Sequence, residues 1–221
     1  MLTTRLRLLI SLSLICLFQV KCQLTLNTLY TPWNSHGGGD IHYLDRHYIA
    51  CPGRSVISFW KVHESGGNIT FEYRCLSGPA VLGESEWRYT SWNGVASNVR
   101  TSIDYLDRHT VICNNDEAIN TFTVQRSGNH IRYAYICMKV KYSGHNQSRT
   151  TSWTDADRGE MFELRDQYVE PTNYHNQAIY GFRLNVQYYT GDWWVRKMRI
   201  YYDVWFMTLR DLNDNNLNNM N

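Results

Sequence analysis

The chain lacks most of the short motifs that would commit it to a known chemistry. It has no Cys-x-x-Cys pair, no Gly-x-Ser-x-Gly and no His-Glu-x-x-His, so no zinc-finger, hydrolase-elbow or zincin site is spelled out. It has no basic run either, with 22 Lys and Arg against 20 Asp and Glu. Such a balance lacks the electrostatic footprint of a nucleic-acid binder. After residue 22 no stretch is apolar enough to span a bilayer, which needs about 20 such residues.

The one long apolar run stands at the start. Arg5 and Arg7 precede Leu8 to Val20, and Val20 and Cys22 occupy the −3 and −1 positions before Gln23. Residues 1–22 therefore read as a secretory signal, and the expected location is extracellular. Without Arg5, Arg7 and Lys21 the remainder has 19 basic and 20 acidic residues, a net charge of −1. Six cysteines become four, an even number suited to an oxidising compartment. The sequons at Asn68 and Asn146 are candidate glycosylation sites in the same setting.

What the chain does have is repetition. Tyr105-Leu106-Asp107-Arg108-His109 copies Tyr43-Leu44-Asp45-Arg46-His47 at an interval of 62 residues, and Cys113 and Cys137 follow Cys51 and Cys75 at the same interval. Trp33, Trp92 and Trp153 open three units, placed at about 30–76, 89–140 and 150–207. The third unit has neither cysteine, which favours one bridge within each of the others, Cys51–Cys75 and Cys113–Cys137.

Period-two alternation marks hairpins with one buried face. Ile69, Phe71, Tyr73 and Cys75 share a face, as do Ile131, Tyr133, Tyr135 and Cys137, and Met198, Ile200, Tyr202 and Val204. The preceding strands are read the same way, with Val56, Trp60 and Val62 on one face. Ala118, Asn120, Phe122 and Val124 form the second such set, and Ala178, Phe182 and Leu184 the third. About four strands per unit give an all-β domain over 23–207, built as a pseudo-threefold β-prism or alternatively a trefoil-like barrel. Asp155 to Asp166 is the expected short helix, and the Asn-rich residues 208–221 read as a disordered tail.

Each of the first two units sets a tryptophan and a polar loop before a cysteine and an aromatic strand ending in cysteine. The strings are Cys51-Pro52-Gly53-Arg54-Ser55-Val56-Ile57, Phe71 to Cys75 and Arg132 to Cys137. This arrangement resembles the dermatopontin-like secreted repeat family over about residues 30–207. It is also similar to vitelline-membrane outer-layer proteins, which form three-sheet prisms. The resemblance implies a secreted, non-enzymatic protein of a matrix or coat, or a glycan binder.

Candidate ligand residues are Asp45, Arg46, His47, Asp107, Arg108 and His109, because Asp accepts from hydroxyls and Arg offers a planar fork to sulfate or carboxylate. A structural alternative makes each Asp–Arg pair the brace of a strand entry, with the histidine packed inward. Tyr189, Trp193 and Trp194, in a hairpin end longer than its counterpart, form a second candidate patch. Trp33, Trp92 and Trp153 are expected as core wedges, with sugar platforms the alternative. His36-Gly37-Gly38-Gly39-Asp40-Ile41-His42 reads as a flexible polar loop rather than a metal site, so no metal, cofactor or catalytic residue is assigned. Expected partners are extracellular glycans or matrix proteins. Self-association as a coat or fibre subunit is the alternative, and a glycoside hydrolase using carboxylates such as Glu84 and Glu86 is the weaker one.

Overall fold

The computed structural model describes residues 23–95, 102–156, 158–172, 175–190 and 196–210. Residues 1–22, read above as a signal, and residues 211–221 lie outside them. The chain is all-β, in three separate five-stranded sheets with no closed barrel among the described residues, so the trefoil-like alternative falls.

One order of elements occurs three times: a long strand, a two-residue strand, a 3-10 turn, a short strand and a hairpin. The first set is β1 (Thr25–Tyr30), β2 (Asn34–Ser35), the turn Ile41–Arg46, β3 (Tyr48–Ala50), β4 (Ser55–Ser65) and β5 (Asn68–Ser77). The second is β6 (Val81–Tyr89), β7 (Asn93–Gly94), the turn Ile103–Arg108, β8 (Thr110–Ile112), β9 (Glu117–Ser127) and β10 (His130–Val140). The third is β11 (Tyr142–Thr150), β12 (Thr154–Asp155), the turn Met161–Asp166, β13 (Tyr168–Val169), β14 (Gln177–Thr190) and β15 (Arg196–Leu209). There are thus five strands per set, not four. The short helix expected over 155–166 is confined to the 3-10 segment Met161–Asp166, and the Leu-Asp-Arg segments fold into the same element in the other two sets. β15 runs to a buried Leu209, two residues into the stretch assigned to the tail.

Sheet 1 has the order β1-β5-β4-β13, sheet 2 β3-β9-β10-β6 and sheet 3 β11-β15-β14-β8. Each hairpin thus receives the short strand of another set: β13 on β4, β3 on β9 and β8 on β14. The β4–β5 connection is Gly66-Gly67, both at positive φ (56° and 81°), which a two-residue turn matching strand twist requires.

The period-two faces of β5, β10 and β15 all point into the main core. β4, β9 and β14 behave differently. Each has a β-bulge, at Ser58, Asn120 and Tyr180, where the ladder skips a residue. The extra residue reverses the inside–outside order. Val56, Ala118 and Ala178 therefore leave the face of Trp60, Phe122 and Phe182 and enter a second cluster with Leu76, Met138 and Met207. Ile57, Ile119 and Ile179 take their places in the main core.

Trp60, Phe122 and Phe182 meet at its centre, with ring centroids 6.0, 5.8 and 5.0 Å apart. The bulges also lock sets together. Asn120 Nδ2 donates to the carbonyls of Cys51 (2.9 Å) and Ser55 (2.7 Å), and Cys51 N donates to Asn120 O (3.0 Å).

The disulfides are Cys51–Cys75 and Cys113–Cys137, each spanning 24 residues, and Val204 fills the corresponding place in sheet 3. Each loop closure is worth about 3 kcal/mol through the unfolded chain. Replacing Cys113 and Cys137 by Ser should therefore lower urea-unfolding stability by about that amount while sheet content is kept. Unchanged stability in the double variant would refute this.

Candidate functional site

The site begins at the junction of the first 3-10 turn with β3. Asp40 Oδ1 caps the turn through His42 N (2.9 Å) and lies 3.0 Å from His42 Nδ1. The loop expected to be flexible is therefore a defined cap, its Gly39 carbonyl accepting from Met161 N (2.8 Å). Among the described residues no group of three His, Cys, Asp or Glu side chains could hold a metal.

At the end of the turn His47 points inward and is 1% exposed. Its Nδ1 lies 2.9 Å from Thr31 Oγ1, which itself accepts from Phe71 N (3.0 Å). The hydroxyl and the imidazole share one hydrogen bond, whose donor is set by the ring tautomer. His109 makes the same contact with Thr90 (2.8 Å), and in the third set Gln167 accepts from Thr151. Burial, with Arg46 or Arg108 alongside, lowers each histidine to a pKa of about 4.

The two histidines are thus anchors beyond the reach of a ligand, which removes them from the candidate set. Among the described residues neither Asp45–Arg46 nor Asp107–Arg108 forms a close ion pair. Arg46 sits over the Tyr43 ring (4.0 Å) and Arg108 over Tyr105 (4.4 Å), with Arg108 Nη1 donating to Gly94 O (3.0 Å). Asp107 is half-buried, and burial followed by the charge of Asp104 raises its pKa against the opposing pull of Arg108 and Arg183. Tyr189 donates to Asp155 Oδ1 (2.9 Å), away from Asp45 and its neighbours. Trp193 and Trp194 lie outside the described residues.

Because His47 turns in, Asp45 and Tyr48 on either side face out. Tyr48 stands on one edge of sheet 2, and Trp87 and Tyr89 on the other. In the row between Tyr48 and Tyr89 the outer face holds Thr123 and Ala134, the cross-strand partners of the two tyrosines. The large rings lean inward over these small residues until Tyr48 and Trp87 are 6.5 Å apart, with Trp87 stacked beside Tyr89 at 6.3 Å. Arg132 lies over both Tyr89 (4.0 Å) and Trp92 (4.3 Å), its Nε bonded to Gln125 Oε1 (2.9 Å).

The result is an open groove of about 560 Å³ lined by Asp45, Tyr48, Trp87, Trp92, Gln125 and Arg126, among others. Of the residues singled out from the sequence, Asp45 falls in it, and so does Trp92, read there as a core wedge with a sugar platform as the alternative; Tyr48 and Trp87 in the lining, with Tyr89 and Arg132 beside them, went unnoticed. Alternation over Trp87 and Tyr89 was the available signal.

Trp33, Trp92 and Trp153 are not core wedges. They are 53%, 41% and 43% exposed. Each precedes a two-residue strand at a sheet margin, where the centre is already filled by Trp60, Phe122 and Phe182. The groove lining includes one carboxylate, Asp45, whereas glycoside hydrolysis ordinarily needs two.

Among the described residues no helix is long and apolar enough to cross a membrane. No family model matches the chain, and neither a curated protein nor a solved structure is significantly similar to it.

Proposed function

We propose that the protein is a secreted, non-enzymatic glycan-binding protein, a pseudo-threefold prism of tandem β-repeats that holds saccharide in the groove over sheet 2. The observation that carries this reading is the row of exposed rings, Tyr48, Trp87, Tyr89 and Trp92, beside the acceptor Asp45. Aromatic faces cover the apolar C–H face of a pyranose, and a carboxylate at the rim accepts from its hydroxyls. Exposed aromatic surface of this extent also marks binding sites generally. The two disulfides suit an extracellular setting, and the resemblance to dermatopontin-like proteins points the same way.

Hot-spot aromatics dominate such contacts by about 2 kcal/mol or more. Trp87→Ala should therefore weaken binding at least about tenfold on a glycan array and in calorimetry, with Asp45→Ala weaker in effect and Arg108→Ala without effect. Equal binding by wild type and Trp87→Ala would exclude the groove.

The coat-subunit reading has one observation in its favour. β11 is an edge strand exposed from Ser143 to Thr150, with only Tyr142 half-buried, an open template for another chain. Concentration-dependent polymers in sedimentation, without saccharide affinity, would favour it.

A further inference from the structure

Two of the three sheets carry the same row across their outer face. On sheet 2 it is Tyr48, Thr123, Ala134, Tyr89. On sheet 1 it is Tyr168, Lys61, Glu72, Tyr30. Each has an edge tyrosine, two central residues and a second edge tyrosine. Tyr168 and Tyr30 are 49% and 61% exposed, as open as the pair on sheet 2. Trp33 follows Tyr30 by three residues, as Trp92 follows Tyr89, and is likewise exposed. Sheet 3 breaks the pattern. Its row is Thr110, Arg183, Asp203, Thr150, and Asp203 is already engaged by Thr150 (3.0 Å) and Asn185 (2.9 Å).

We propose that sheet 1 bears a second saccharide platform, formed by Tyr30, Trp33, Lys61 and Tyr168, so that one chain grips two glycan segments and cross-links them. The inference rests on the glycan reading of the sheet 2 groove and adds its valence.

The chemistry at the second platform complements an oxygen-rich ring. Lys61 has its ammonium 6.0 Å from the Tyr168 ring, and Glu72, its cross-strand neighbour, is held by His63 (2.8 Å) and Arg74 (3.7 Å). The ammonium therefore has donors for hydroxyl or carboxylate oxygens of a sugar. Tyr168 also lines a polar cleft of about 140 Å³ with Arg149, Asp166 and Glu170, which offers hydroxyl partners beside the ring. Two platforms on different sheets of one compact body hold two chains at a fixed separation, the condition for cross-linking rather than tighter single-chain binding.

The test is stoichiometry. Cellohexaose, chitohexaose and a hyaluronan hexasaccharide are titrated calorimetrically into the full protein. Beads coated with the polysaccharide that binds are then scored for agglutination. Wild type should take two hexasaccharides per chain and agglutinate beads. Tyr30→Ala/Tyr168→Ala should take one, still coat beads and fail to agglutinate them, and Trp87→Ala should behave the same way through loss of the other platform. Both variants should keep the wild-type near-ultraviolet circular dichroism signature of the packed core, which separates lost binding from lost fold. A wild-type stoichiometry of one, unchanged by the tyrosine pair, overturns the second platform while the groove stands. A stoichiometry of two that survives Tyr30→Ala/Tyr168→Ala overturns it equally. Failure of all three hexasaccharides to bind overturns platform and groove together.

Discussion

Acidification from pH 7 to pH 4 should cost the wild-type protein several kcal/mol of stability that the double variant His47→Gln/His109→Gln keeps. Both histidines are buried against Thr31 and Thr90, with pKa values lowered from 6.5 to about 4. In the unfolded chain each takes up a proton as the pH falls through 6.5, whereas the folded protein resists until about 4. The stabilisation is therefore complete above 6.5, declines through the window between, and levels off below 4. A gap of that size corresponds to about 3 kcal/mol for each histidine, a large share of the 5–15 kcal/mol typical of a domain.

The protein itself supplies the control residue. Gln167 occupies the same junction, accepts from Thr151, and gives its amide protons to Ser152 O (2.9 Å), Thr154 Oγ1 (2.7 Å) and Ile200 O (3.1 Å). By contrast, Nε2 of His47 and of His109 is buried without a partner. Glutamine should therefore be tolerated at pH 7 and remove the proton uptake. Urea denaturation at pH 7 and pH 4.5 decides the matter, since carboxylates and other histidines titrate in both proteins and cancel in the comparison. Parallel pH dependence in the two would show that these imidazoles are not the acid-sensitive groups.

The strands were legible where side-chain parity holds without interruption. Ile69, Phe71, Tyr73 and Cys75 alternate unbroken along β5, and all four reach the main core. On β4 the same reasoning placed Val56 with Trp60, and the bulge at Ser58 defeated it. A bulge is one unpaired residue whose cause lies in the partner strand, so nothing local marks it. The paired cysteines were legible for a different reason: the third unit lost both together.

The tryptophans that open the units were misjudged from size alone. A large ring favours burial, yet Trp33, Trp92 and Trp153 sit where the chain passes a sheet margin. There Arg132 covers Trp92, while Tyr201 (4.0 Å) and Arg199 (4.5 Å) flank Trp153, in place of a core. The groove was harder still. Asp45 and Tyr48 lie about forty residues before Trp87 and Trp92. They become neighbours only because β3 joins β9 while β6 joins β10 in the same sheet. Repetition in sequence suggests that each unit closes on itself, and these sheets are assembled by exchange of short strands between units.

The same exchange concentrates stability at one point. Trp60→Ala should destabilise the protein by about 3–5 kcal/mol, the range for removing a buried aromatic from a core that relaxes only in part. Trp60 is 2% exposed and touches rings from every hairpin: Phe71, Phe122, Phe182 and Tyr202, with centroids 4.9 to 6.2 Å away. No single sheet can close over the resulting void, because each contributes one side of it.

Trp60→Phe should behave quite differently. Phe122 and Phe182 already occupy the matching positions on the other two sheets, and the indole Nε1–H of Trp60 is buried without an acceptor. The few ring atoms lost would cost about 1 kcal/mol as a small cavity. Removing an unpaired buried donor returns an amount of the same order. The phenylalanine variant should therefore unfold within about 1 kcal/mol of wild type, while the alanine variant loses several times that. If thermal or urea unfolding found the two equally damaged, the indole nitrogen rather than the meeting of three rings would be holding the centre, with a partner inside the core.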